Sequence, residues 1–123
     1  YELDRDTARE IVAQLTFRGA GAISALKVSF TRQARYDLLS IRDWIAEYDD
    51  RAADRVLSRI RQTAMLLGQF PMIGRTGSVE ETREFSVTGL PYLIVYQIAP
   101  KDELDILTII HTRQKYPPGA GSS

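Results

Sequence analysis

The chain has 123 residues, enough for one compact domain but not for a second sizeable hydrophobic core. Its lack of cysteine and its single histidine exclude disulfide frameworks and zinc ribbons, and we expect no bound metal and no cofactor. The formal net charge is zero, whereas domains that grip phosphate backbones usually carry a basic excess, so we expect no direct sequence-specific binding to nucleic acid.

The apolar pattern also argues against membrane insertion. The longest apolar run, from Leu90 to Ala99, contains Pro91 and Gln97 and is shorter than the roughly 20 residues that a membrane-spanning helix needs. No apolar stretch followed by a small-residue cleavage site marks a signal peptide near the N-terminus. The sequence therefore predicts a cytoplasmic protein.

Residues 1–26 differ in character from the rest of the chain. Apolar residues recur there at helical spacing with charged residues between them, which predicts a short amphipathic helix. Its candidate contact residues are Ile11, Val12 and Leu15, which we expect to pack on an apolar surface of the same chain or of a neighbouring copy. Residues 19–22, Gly-Ala-Gly-Ala, indicate a flexible linker, and residues 119–123 predict a disordered tail.

Residues 27–118 form the predicted folding unit, which begins with one strand and two helices. Polar and apolar residues alternate over residues 27–31, which predicts a strand, and Thr31 is a suitable N-cap for the segment that follows. Apolar residues then recur every three or four positions over residues 32–48 and again over residues 50–67, which predicts two amphipathic helices. So short a connection between them predicts an antiparallel hairpin.

Three more strands follow the helices. Alternation and turn residues place them near residues 82–87, 92–99 and 104–112, with connections short enough for antiparallel hairpins. The predicted fold is therefore α+β, a two-helix hairpin packed on a mostly antiparallel four-stranded sheet in the order β-α-α-β-β-β. The residues expected to be largely buried are Leu38, Ile41, Ile45, Val56, Ile60, Leu67, Ile94 and Ile109.

The polar residues at the end of the last strand are candidates for function. His111 and Arg113 precede Gln114 and Tyr116, a set that suits either general acid-base chemistry or a polar contact surface. The alternative is a histidine that caps the strand through a bond to the backbone. Because no other histidine, cysteine or evident nucleophile lies near in sequence, we assign no catalytic residue.

Two arginines and three aromatic residues have a functional and a structural interpretation. Arg75 and Arg83 suit bidentate binding of a phosphate or a partner carboxylate, or equally ion pairs within the loop and the sheet. Trp44 lies in the apolar stripe of the first helix and is expected in the core. Tyr92 and Tyr96 share one side of the middle strand and are expected at the edge of the core.

Several motifs keep a characteristic order along the folding unit. Asp37-Leu38 lies in the first helix, and Phe70-Pro71-x-x-Gly74-Arg75 follows the second. Residues 83–85, 91–96 and 109–117 then cover the later strands and the tail. In order and spacing these motifs resemble those of ParE toxins in the RelE/ParE superfamily, over about three quarters of the chain.

The resemblance implies a toxin of a type II toxin–antitoxin system, linked to plasmid stabilisation, that inhibits DNA gyrase by binding and has no chemistry of its own. It also implies a cognate antitoxin that neutralises the toxin, in a homodimer or a larger toxin–antitoxin assembly. The related RelE-like ribonucleases use an arginine before the middle strand and a C-terminal tyrosine. Here Thr88 stands at the position of that arginine and the tyrosine position falls in the Gly/Ser tail, which favours the ParE function.

Two other functions stay open: a ribosome-dependent mRNA endoribonuclease, and a non-toxic module that only pairs with an antitoxin. Residues 1–26 precede the point where family members normally begin, so they are a natural extension, a product of cloning or upstream read-through, or an antitoxin-like piece joined to the toxin. The candidates for contact with a target or partner are Arg75, Arg83, His111, Arg113, Gln114 and Tyr116.

Overall fold

Two helices form the hairpin that the sequence predicts. The computed structural model describes residues 25–113, in which α1 spans Arg32–Ala46 and α2 spans Asp50–Gln69. The Thr31 hydroxyl caps α1, as expected, by accepting a backbone N–H bond of 3.1 Å from its first turn. The Asp49 carboxylate caps α2 by accepting from two backbone N–H groups. Neither helix is long and apolar enough to cross a membrane.

A mixed sheet packs against the hairpin. Its strands are β1 Lys27–Phe30, β2 Arg75–Thr76, β3 Arg83–Ser86, β4 Tyr92–Ala99 and β5 Glu103–His111. Their order in the sheet is β1-β5-β4-β3-β2, and only β1 and β5 are parallel, so the α+β fold and the mostly antiparallel sheet are confirmed. The described residues contain five strands where four were predicted, because the two-residue β2 is too short to show an alternating pattern.

The core lies between the hairpin and one face of the sheet. Ile41, Ile45 and Val56 keep some exposure but are largely buried, as predicted. Ile41 and Val56 pack against the core from its border, where an apolar stripe meets solvent. The predicted core residues that are buried are Leu38, Ile60, Leu67, Ile94 and Ile109.

The aromatic residues of α1 depart from the prediction. Trp44 was expected in the core, but 58% of it is exposed, and Tyr48 just beyond the helix is 77% exposed. The buried residues of α1 are the smaller Ala34 and Leu38, so Trp44 lies on the flank of the buried stripe. The Trp44 and Tyr48 rings contact each other edge to face, with centroids 6.0 Å apart.

β5 continues past the end of β1, and beyond that point α1 forms the hydrogen bonds to β5 that a neighbouring strand would form. The Thr31 hydroxyl donates to the Leu107 carbonyl at 2.8 Å. Further along α1, the Asp37 carboxylate accepts from the Ile109 N–H at 3.0 Å and from the Thr108 hydroxyl. We call these two bonds to Asp37 the Asp37 clamp. The clamp gives the Ile109 N–H a hydrogen-bond acceptor on the edge of β5 that β1 no longer covers.

We predict that Asp37→Ala lowers the free energy of unfolding by about 2 kcal/mol, because a carboxylate that accepts two hydrogen bonds is lost. The matched control is Asp43→Ala on the same helix. Asp43 is exposed and pairs with Arg42 at 3.2 Å, so its loss should change stability by no more than about 0.5 kcal/mol. Urea denaturation of both variants measures the difference, and equal stability would contradict the role given to the clamp.

Candidate partner-binding site

An open groove lies between α1 and the adjoining ends of β4 and β5. Tyr36, Ser40 and Trp44 are four residues apart on α1 and therefore line up on one face of the helix. Tyr36 is 66% exposed, and Trp44 is similarly open to solvent. We call this the aromatic groove; its main lining residues are Tyr36, Ser40, Ile41, Trp44, Tyr92 and His111.

His111 reaches the groove because it ends β5 directly opposite Tyr92 of β4. The two rings meet edge to face with centroids 5.5 Å apart. His111 Nδ1 accepts from the Arg113 N–H at 3.1 Å, so this nitrogen helps to form the turn that leaves the strand. Burial raises the pKa of the Tyr92 hydroxyl, which stays protonated at neutral pH.

Asp37, the carboxylate that lines the same groove, is already engaged. Asp37 Oδ1 accepts from Gln33 Nε2 at 2.8 Å, and its other oxygen forms the clamp to β5. Within residues 25–113 no group of three or more His, Asp or Glu side chains is placed to hold a metal ion. The groove thus offers aromatic surface and hydrogen-bonding edges, which suit contact with another macromolecule.

Arg75 on β2 and Arg83 on β3 lie toward the edge of the sheet that is opposite to β1. Arg75 Nη2 pairs with Glu84 Oε1 at 3.2 Å, and the buried Glu84 also accepts from the Ser78 N–H at 3.1 Å. Arg83 Nη1 donates to the Gly74 carbonyl at 2.7 Å. These bonds fit the structural interpretation of both arginines, since Arg75 joins β2 to β3 and Arg83 ties the loop before β2 to β3.

Tyr96 shapes the same loop from inside the core. Its hydroxyl donates to the Pro71 carbonyl at 2.7 Å and accepts from the Gly74 N–H at 3.0 Å. A Cβ at Gly74 would lie 2.7 Å from Cε1 of the Tyr96 ring, so any other residue there would clash. Tyr92 and Tyr96 are 4% and 0% exposed, deeper than the edge of the core where we predicted them.

The predicted site residues therefore do not form one cluster. His111 lies in the aromatic groove with Arg113 two residues beyond it, whereas Arg83 is roughly 15 Å from His111 by strand spacing, across β4 and four residues along it. Sequence reasoning missed Tyr36 and Trp44 as surface residues. The available signal was spacing, since Tyr36, Ser40 and Trp44 follow each other at intervals of four residues and therefore lie on one face of α1. The candidates outside the described residues are Ile11, Val12, Leu15, Gln114 and Tyr116.

We predict that Tyr96→Phe destabilises the protein by about 2 kcal/mol, because the Gly74 N–H and the Pro71 carbonyl lose their buried partner. Tyr48→Phe removes the same atom from an exposed side chain and should leave stability unchanged. Thermal unfolding of the two variants makes the comparison. A Tyr96→Phe variant as stable as the parent would show that the hydroxyl does not hold the loop.

Comparison with known proteins gives a consistent family. The family model described as "ParE toxin of type II toxin-antitoxin system, parDE" matches residues 28–116. A Sinorhizobium fredii protein named "Putative toxin Y4kP" is 34% identical over 95 residues, which cover 77% of this chain and 97% of the relative. "Toxin RelE2" of Caulobacter vibrioides is 36% identical over 73 residues, covering 59% of this chain and 81% of the relative.

Solved structures share the fold. A chain of a chromosomal ParDE toxin–antitoxin system from P. aeruginosa superposes with a TM-score of 0.64 at 22% identity, covering 71% of this chain and 96% of its own. A chain of the RelBE2 toxin–antitoxin complex from Mycobacterium tuberculosis gives a TM-score of 0.54 at 22% identity, covering 72% and 99%. At this identity the likeness shows the architecture of two helices on a mixed sheet.

Proposed function

Because the chain belongs to the ParE toxin family of type II toxin–antitoxin systems, we propose that it acts by binding DNA gyrase and is neutralised by a cognate antitoxin. Gyrase acts on chromosomal DNA, so the proposal places the toxin in the cytoplasm. It also assigns the toxin no reaction of its own. The toxin's effect would come entirely from the surface that it presents to the enzyme.

The observation that carries this proposal is the aromatic groove. Exposed Trp and Tyr side chains are the residue types that most often dominate the binding energy of protein interfaces. Tyr36 and Trp44 are both more than half exposed, and they frame a groove rather than standing alone. The polar groups at its floor, Asp37 and Tyr92, are a clamped carboxylate and a protonated phenol, which support binding better than catalysis.

A second candidate function is ribosome-dependent cleavage of mRNA. The similarity to a Caulobacter protein named RelE2, and the shared fold with a RelBE2 complex, favour this alternative. Against it stands the residue at the position of the ribonuclease arginine. Thr88 lies there, in the turn between β3 and β4, and its carbonyl accepts from Arg59 Nη2 at 2.6 Å. A threonine side chain brings no cation to a scissile phosphate.

The antitoxin is inferred from the same family. Two structures that share this fold come from toxin–antitoxin systems, and family membership extends that pairing to this chain. We propose that the antitoxin covers the aromatic groove, since a partner that buries Tyr36 and Trp44 would remove the surface offered to gyrase. Neutralisation would then be competition for one site, in a dimer or a larger assembly.

Inducing the full chain in bacteria and following DNA and protein synthesis separately tests the function. We expect DNA synthesis to fall first, with an SOS response and filamentation. Trp44→Ala should need roughly tenfold more protein for the same effect, because an interface anchor of about 1.4 kcal/mol or more is lost. Met72→Ala is the matched control, since Met72 is equally exposed but lies outside the groove.

Two results would contradict the proposal. Immediate arrest of translation, with codon-specific mRNA cuts in primer extension that vanish in His111→Ala, would show a ribonuclease. We expect no such cuts in the parent chain, and therefore no change in that mutant. Normal DNA and protein synthesis at high expression would instead show a non-toxic module that only pairs with an antitoxin.

A further inference from the structure

A second groove runs between α1 and α2 on the outside of the hairpin. It is separate from the aromatic groove, because it lies on the other flank of α1. Its floor is apolar and consists of Leu38, Leu39 and Leu57. Leu39 is 53% exposed, so part of this apolar floor is open to solvent.

The rim of this groove is basic, and we call it the arginine groove. Arg35, Arg42 and Arg61 line it, against the single carboxylate of Asp54. Arg42 also pairs with Asp43 at 3.2 Å. Arg35 donates to the Phe30 carbonyl at 3.1 Å and forms no ion pair with a carboxylate within residues 25–113. An excess of positive charge around an apolar floor fits an occupant that is both acidic and apolar.

The chain enters the described structure beside one end of the arginine groove. The Leu26 N–H donates to the Gly68 carbonyl at 2.8 Å, so the start of the folded domain lies at the C-terminal end of α2. Between Gly68 and Arg61 lies Met65, which is 60% exposed on the groove side of α2. Exposed apolar surface thus leads from the entry point of the chain to the groove.

We propose that residues 2–15 of the same chain cover the arginine groove. This segment contains four acidic and two basic residues, and its apolar residues include Ile11, Val12 and Leu15. The segment is therefore complementary to the groove in charge and also carries apolar side chains that suit its leucine floor. An amphipathic helix of this length is marginal alone in water, and the leucine floor would supply the tertiary contact that it needs.

The geometry of the connection allows this arrangement within one chain. Residues 16–25 separate the segment from the domain, and ten residues span at most about 33–36 Å. The distance along α2 from Gly68 back to Arg61 is only about 10 Å at 1.5 Å per residue.

Methionine oxidation of the full chain tests the proposal. The chain has only two methionines, and the oxidation rate of one serves as the reference for the other. Met65 lies one helical turn beyond Arg61, a lining residue of the groove, whereas Met72 lies beyond the end of α2. Their own exposures are nearly equal at 60% and 63%. Dilute peroxide oxidises the methionines, and peptide mass spectrometry measures the rate at each one. We expect Met65 to oxidise about tenfold more slowly than Met72. That ratio corresponds to a groove that is covered in roughly nine molecules out of ten.

Substitutions in residues 2–15 show whether the protection of Met65 depends on this segment or on the folded domain alone. Ile11→Asp combined with Leu15→Asp should raise the Met65 rate to that of Met72. Thr7→Asp, which adds a charge without removing an apolar residue, should leave the protection intact. Equal oxidation of Met65 and Met72 in the parent chain would overturn the proposal. So would protection that grows with protein concentration alongside a doubled mass, because the segment would then come from a second copy.

Discussion

The fold depends on how the free edge of β5 is satisfied once β1 has ended. Asp37 on α1 accepts the Ile109 N–H and the Thr108 hydroxyl, and Thr31 holds the Leu107 carbonyl. A helix thus replaces a strand partner over this stretch, and the position of α1 on the sheet is fixed by polar contacts as well as by packing. Because α1 is fixed there, its aromatic row lies beside His111 and the aromatic groove exists.

The motifs that identify the family are mostly parts of this framework. Asp37 forms the clamp, and Gly74 admits the Tyr96 ring that holds the loop before β2. Arg75 pairs with the buried Glu84 in the same region. Residues that preserve an architecture explain why the ParE family can be recognised from sequence. They do not by themselves distinguish the two candidate functions, since chains of a ParDE system and of a RelBE2 complex share this fold.

Periodicity was sufficient for the two helices, because each buries one face over several turns, and alternation together with turn residues located the four predicted strands. It failed at Trp44, since an apolar stripe on a helix looks the same in sequence whether it meets the core or a partner. The two residues of β2 carry no period at all. The burial of Glu84 and the close approach of Tyr96 to Gly74 arise from contacts between distant parts of the chain, which spacing along the sequence does not encode.

The proposed action of the aromatic groove on gyrase can be measured with purified components. Purified full-length chain is added to purified gyrase, ATP and relaxed plasmid, without ribosomes or other factors. We expect loss of supercoiling with accumulation of cleaved plasmid, and a clear weakening of both effects by Trp44→Ala in the aromatic groove. Normal supercoiling in the presence of excess chain, or equal inhibition by parent and variant, would contradict the proposed action.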